Sequence, residues 1–181
     1  LKGRPITLYQ EVHCNKTKEK PATHKAFLKT LNAILPSHCR PIIVTDAGYK
    51  SPWFREVLAL GWDIVGRIRK PHFYSLDRGN TWQCIRHLYA QATNRPKRFD
   101  NSQIVRGNPF ACTLVLFKQK TKGRHASNPD GTRKASKRSK VHAQGAKDPW
   151  LLATSLASHR RLSKQVVAIY RQRMQIEEGF R

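Results

Sequence analysis

The stretch 41–69 constrains the fold of this chain more than any other part of the sequence. Pro41-Ile42-Ile43-Val44-Thr45-Asp46 is a short β-branched run bounded by turn residues. It reads as a strand buried on both faces, as at the centre of a mixed or parallel sheet. Asp46-Ala47-Gly48 leaves its C-terminal end. Ser51 then reads as a helix N-cap, with Pro52 at the first helical position. Trp53, Phe54, Val57, Leu58 and Leu60 form the buried stripe, and Gly61 ends the helix. Asp63 to Arg69 is the next strand. A crossover helix between two strands implies that the pair runs parallel.

The flanks extend this pattern. In Arg4 to Val12, Ile6, Leu8 and Gln10 alternate with Thr7, Tyr9 and Glu11, the period of a short strand bounded by Pro5. Phe27, Leu28, Leu31, Ile34 and Leu35 make one helix face, with Thr23 as N-cap and Pro36 as a stop. Beyond Arg69, Thr81 to Leu88 and Cys112 to Phe117 read as strands. Trp150 to Thr154 reads as another buried strand. Ser163 caps a helix that runs to the end of the chain, with apolar positions at Leu162, Val166, Val167, Ile169, Tyr170, Ile176 and Phe180. The chain starts at Leu1 without a Met and stops in mid-helix at Arg181, so an internal fragment of a longer protein is expected.

Charge narrows the partner. Lys and Arg number 35 against 11 Asp and Glu, a net charge of +24 on 181 residues. Such a chain repels itself unless a polyanion lies against it, and nucleic acid is the expected one, through counterion release. An anionic membrane fits less well, since no long basic amphipathic helix is evident. No apolar run approaches the ~18 to 20 residues that span a bilayer, and no signal peptide is expected before the first element. At 39% hydrophobic and 9% aromatic residues, the chain can build a core. Residues 118–147 are polar and basic, centred on Arg133, Lys134, Lys137, Arg138 and Lys140. They read as a solvated loop and equally as a phosphate-contacting arm, and the two readings are compatible. Cys14, Cys39, Cys84 and Cys112 contain no CxxC pair. His13-Cys14 and His38-Cys39 are adjacent pairs, a poor spacing for zinc, so free thiols are expected.

Two acidic positions stand out as candidates for chemistry. Asp46 follows a strand at its C-terminal end, the sheet edge where ligands bind in open α/β folds. Glu177 shares a helix face with Tyr170 and Arg173, spaced by three and four. Two carboxylates meeting there would hold Mg²⁺ through hard oxygen ligands and support phosphoryl transfer. Each residue alone has a plainer reading: Asp46 as a turn cap, Glu177 as a surface ion pair.

The segments IVTDAGYKSPWFREVLALGWDIVGRIR, PWLLATSL and IYRQRMQIEEGFR together resemble bacterial cut-and-paste insertion-sequence transposases of the DDE superfamily. The subgroup is the insertion sequence four family, whose last catalytic helix carries Tyr-x2-Arg-x3-Glu-x6-Lys. Here that is Tyr170, Arg173 and Glu177; the Lys would fall three residues past Arg181. The resemblance implies an α/β fold with an RNase H-like catalytic core, a mixed sheet with flanking helices. Residues 1–69 and 150–181 would form the core, interrupted by a β-rich insertion at 70–149. It implies Asp46 and Glu177 as the second and third acids of the triad, with Glu178 one residue outside the motif spacing. The first Asp would lie upstream of Leu1, and the 181 residues alone would then be inactive. Two Mg²⁺ ions, replaceable by Mn²⁺, would assist cleavage of transposon-end DNA, hairpin formation and joining to target DNA. Arg173 and Tyr170 would contact phosphates, and Trp150 would stack on a flipped base. The intact enzyme would be dimeric in its synaptic complex, this piece monomeric, and the location the bacterial cytoplasm at the nucleoid. A non-catalytic basic nucleic-acid module explains the charge but not the two acids. Another RNase H-like nuclease shares the acids but needs neither the Tyr-Arg-Glu pattern nor a long insertion.

Overall fold

A computed structural model of the chain describes residues 6–18, 20–69, 71–119, 131–132 and 148–173. The helices are α1 (Pro21–Ile34), α2 (Ser51–Ala59), α3 (Ile85–Tyr89) and α4 (Leu162–Gln172). The strands are β1 (Ile42–Thr45), β2 (Asp63–Ile68), β3 (Phe73–Ser75), β4 (Gln83–Cys84), β5 (Lys97–Ile104), β6 (Phe110–Phe117) and β7 (Trp150–Thr154). They form one seven-stranded sheet in the order β1-β2-β7-β6-β5-β3-β4. β1 and β2 run parallel, as the crossover requires, and the other pairings are antiparallel.

Alternation along the strands splits the core into two layers. Ile64, Ile68, Leu114, Leu116, Leu151 and Ala153 face the layer that holds α1, α2 and α3. Val65, Val115, Phe117, Trp150 and Leu152 face α4 through Leu162, Val166, Val167 and Tyr170. The inner strand β7 is buried at all five positions. Its Thr154 hydroxyl donates to the carbonyl of Ile64 at 2.8 Å, so this polar group adds a bond to the β2–β7 pairing.

Several elements differ from the sequence reading. Residues 41–46 lie at the edge of the described sheet rather than at its centre, and Ile42 is exposed. The helices cover the faces of β1, which accounts for its apolar composition, while its outer edge has no described neighbour. Residues 6–12 form no strand. An alternating segment becomes a strand only where a partner takes its backbone groups, and here Tyr9 instead packs its ring against Phe27 at 5.1 Å. α1 begins at Pro21 with Lys20 as N-cap, placing Thr23 inside the first turn. α2 has Lys50 as N-cap and Ser51 as its first residue, and α4 begins one residue before Ser163. Proline suits either early position because the first N–H groups of a helix have no intrahelical partner. In 81–88 only Gln83–Cys84 is strand. Ile85 and Leu88, three apart and both buried, turn the rest into α3. All four cysteines are free thiols, and burial pushes Cys112 up to about 12.

Candidate active site

The register of the sheet gathers the candidate residues at one end. Thr45 pairs with Gly66, so Asp46 and Arg67, the next residues of two parallel strands, emerge side by side. Arg67 pairs with Leu152 and Ile68 with Leu151, which puts Trp150, the first residue of antiparallel β7, at the same end. The last turn of α4 closes over it. Tyr170 meets Trp150 edge to face, ring centroids 4.9 Å apart, and the Arg173 guanidinium lies 5.8 Å from the Tyr170 ring. Four residues from three separate segments of the chain thus share one end of the sheet: Asp46, Trp150, Tyr170 and Arg173.

Asp46 is exposed in the turn that follows β1. Its Oδ1 accepts the Gly48 N–H at 2.8 Å, which fixes the turn and orients the carboxylate. As a hard oxygen donor on the sheet edge it suits a divalent cation. Among the described residues, no group of three or more His, Cys, Asp or Glu side chains is placed to hold a metal. The second proposed ligand, Glu177, lies outside the described residues, as do Glu178, Arg133, Lys134, Lys137, Arg138 and Lys140.

Trp150 and Tyr170 are buried, at 8% and 1% exposure, and pack with Phe117, Val166 and Leu152. They are core residues whatever else they do. Beside them lies a cationic cluster that the sequence reading did not name. The Arg67 guanidinium is largely enclosed, and burial lowers its pKa, with the neighbouring charge of Arg69 pushing the same way and Tyr170 and Tyr89 opposing. Its Nη2 donates to the Asp148 carbonyl at 3.2 Å, while its Nε has no partner among the described residues. Arg171 caps the Phe117 ring at 5.1 Å on the same helix end. Guanidinium groups stay charged even when crowded, so this end of the sheet carries positive charge. The signal was present in Arg67-Ile68-Arg69: two basic residues spaced by two, at the end of a strand that also holds Ile64, Val65 and Ile68.

The arrangement can hold a phosphodiester against arginines while a carboxylate stands at the strand end. Among the described residues no helix is long and apolar enough to cross a membrane. No curated protein and no solved structure matches the chain. The family model described as the transposase DDE domain matches residues 7–181. The mixed sheet with helices on both faces is consistent with the RNase H-like fold of such domains. With the match running from residue 7 to the last residue, this chain belongs to the transposase DDE domain family, whose members are DNA-cleaving enzymes.

Proposed function

We propose that the chain is the catalytic part of a cut-and-paste DNA transposase of the insertion sequence four type, acting through a hairpin intermediate. The observation that carries this reading is the shared edge of Asp46, Arg67, Trp150, Tyr170 and Arg173 at one end of the sheet. Asp46 and Glu177 would hold Mg²⁺, or Mn²⁺ in its place. Bound there, the metal would neutralise phosphate charge and activate the attacking oxygen. The chain's own residues do the positioning. Arg67 and Arg173 bind the phosphates flanking the reacting bond, and Tyr170 packs between Trp150 and Arg173. Trp150 offers its ring to a base taken out of the stack, once its contact with Tyr170 opens. Arg133, Lys134, Lys137, Arg138 and Lys140 grip the backbone of transposon-end and target DNA. Positioning and charge stabilisation supply most of the catalysis in such transfers.

No Asp precedes Asp46 in the sequence, and a triad requires a further acid. The 181 residues alone are therefore expected to bind DNA as a monomer without cutting it, the active form being a synaptic dimer of the complete protein. The test uses the protein of the complete reading frame on terminal-repeat DNA, comparing wild type with Asp46→Asn and Glu177→Gln. Both substitutions should abolish Mg²⁺-dependent nicking and leave DNA binding intact. Normal cutting by both would make the acids structural and leave a basic DNA-binding module.

A further inference from the structure

On the opposite face of the sheet, between α1 and α2, a cavity of about 120 Å³ opens beside the Asp46 turn. Its wall includes His24, Gly48, Lys50, Pro52, Trp53 and Glu56. Three aromatic rings cluster at it. His24 meets Trp53 edge to face at 5.3 Å, Tyr49 tilts against Trp53 at 4.8 Å, and His24 lies 5.4 Å from Tyr49. Trp53 is 6% exposed, and its indole N–H has no hydrogen-bond partner among the described residues. A cavity of this size takes a single aromatic ring and not a base pair.

We propose that this cavity is a binding site for one unpaired nucleobase of the DNA strand that reaches Asp46. It rests on the DNA-acting reading above and adds a base subsite separate from Trp150, which lies on the other face of the sheet. The occupant must be flat, to lie among the rings. It must also be tied to an anion, since Lys50 stands at the wall of a chain with net charge +24. A nucleobase meets the first condition, and its phosphate meets the second. The Glu56 carboxylate, ion-paired with Lys25 at 3.6 Å, adds an acceptor for an exocyclic amino group. Gly48, two residues past Asp46, lines the cavity, so a base held here fixes the path of its strand past the carboxylate.

The test measures binding without divalent metal, so it does not depend on cleavage. A fluorescein-labelled single-stranded oligonucleotide is compared with the same strand made abasic along its centre, by anisotropy at fixed salt. The wild-type chain should prefer the base-bearing strand by about fivefold or more. Trp53→Phe, which shrinks the ring that walls the cavity, should reduce that preference, and His24→Ala on the rim should do the same. Salt dependence should be unchanged in both, because phosphate contacts are untouched. Iododeoxyuridine-substituted strands irradiated with wild type should form adducts at Trp53, Tyr49 or His24, a readout that needs no variant to fold. Adducts only at Trp150, or an undiminished preference in both variants, would overturn the proposal while leaving the role of Asp46 in cleavage standing.

Discussion

A Cβ added to Gly66 would stand 2.3 Å from Cζ and 2.5 Å from Cε1 of Phe54, whose ring is fully buried between α2 and the sheet. Glycine at this point of β2 lets the helix approach the parallel strand pair that carries Asp46. Gly66→Ala should therefore destabilise the protein by about 1–3 kcal/mol, the usual cost of overpacking. That corresponds to a melting temperature lower by about 2–4 °C per kcal/mol for a chain of this size. Phe54→Leu in the same background should recover part of the loss, since it removes the clashing ring edge. Thermal melts of the three variants check this, and an unchanged melt for Gly66→Ala would mean that Phe54 shifts without cost. The same scale separates what the sequence discloses from what it hides. Asp46 was legible because a turn after a β-branched run marks a strand end. Arg67 was not singled out, because a basic residue inside a strand reads as a solvent-facing position until the opposite face is known to be covered by α4.

The β3–β4 hairpin shows how an element can be held by polar contacts rather than apolar burial. Ser75 Oγ donates to Asp77 Oδ1 at 2.6 Å, and the Thr81 N–H and hydroxyl donate to the same carboxylate at 2.9 and 2.6 Å. The Gly79 N–H donates to Ser75 Oγ, and Trp82 Nε1 donates to the Gly79 carbonyl. Arg78 and Gly79 take positive φ values of 59° and 98°. The hydrogen bonds from Ser75 and Thr81 lower Asp77 from an ordinary 3.8 to about 2. Because the folded value is depressed, the contribution of the carboxylate to loop order is fully present above about 3.8. It is lost as pH falls through about 2. The Trp82 indole N–H resonance should thus shift across that window, and Asp77→Asn should show the altered signal already at neutral pH. A resonance indifferent to both changes would mean that the backbone alone sets the loop. Elements with a clear apolar period, namely α1, α2, β2, β6, β7 and α4, were readable in sequence to within a few residues. β5 was missed because its sequence, Lys97-Arg98-Phe99-Asp100-Asn101-Ser102-Gln103-Ile104, is mostly polar and bulged at Asn101. It becomes a strand because β6 offers it a partner over eight residues, a long-range fact that no local period records.

For the whole molecule, sheet continuity and charge make the decisive argument. The segment expected as a β-rich insertion supplies β3 to β6 to the same sheet as β1, β2 and β7, so it packs as an extension of the core. That contiguity could not be read from sequence, since strand periodicity does not name a strand's neighbour. The net charge of +24 could be read, and it makes a quantitative claim about binding. Residues 118–147 hold ten of the 35 basic residues and one acid, while the sheet edge around Asp46 adds Arg67, Arg69, Arg171 and Arg173. If both regions contact phosphates, affinity for DNA should fall steeply with salt, with a log–log slope of about −0.9 per phosphate neutralised. Replacing Arg133, Lys134, Lys137, Arg138 and Lys140 together by Ala should make that slope shallower by up to about 4.5 if each meets a phosphate. Replacing Arg67 alone should shallow it by about 1 at most, because one guanidinium meets one phosphate. The five substitutions should weaken binding to all DNA sequences alike, since backbone contacts position a duplex without reading it. Titrations at several salt concentrations on two unrelated duplexes decide the matter. An unchanged slope in the fivefold variant would confine DNA contact to the sheet edge and make the basic segment a solvated loop.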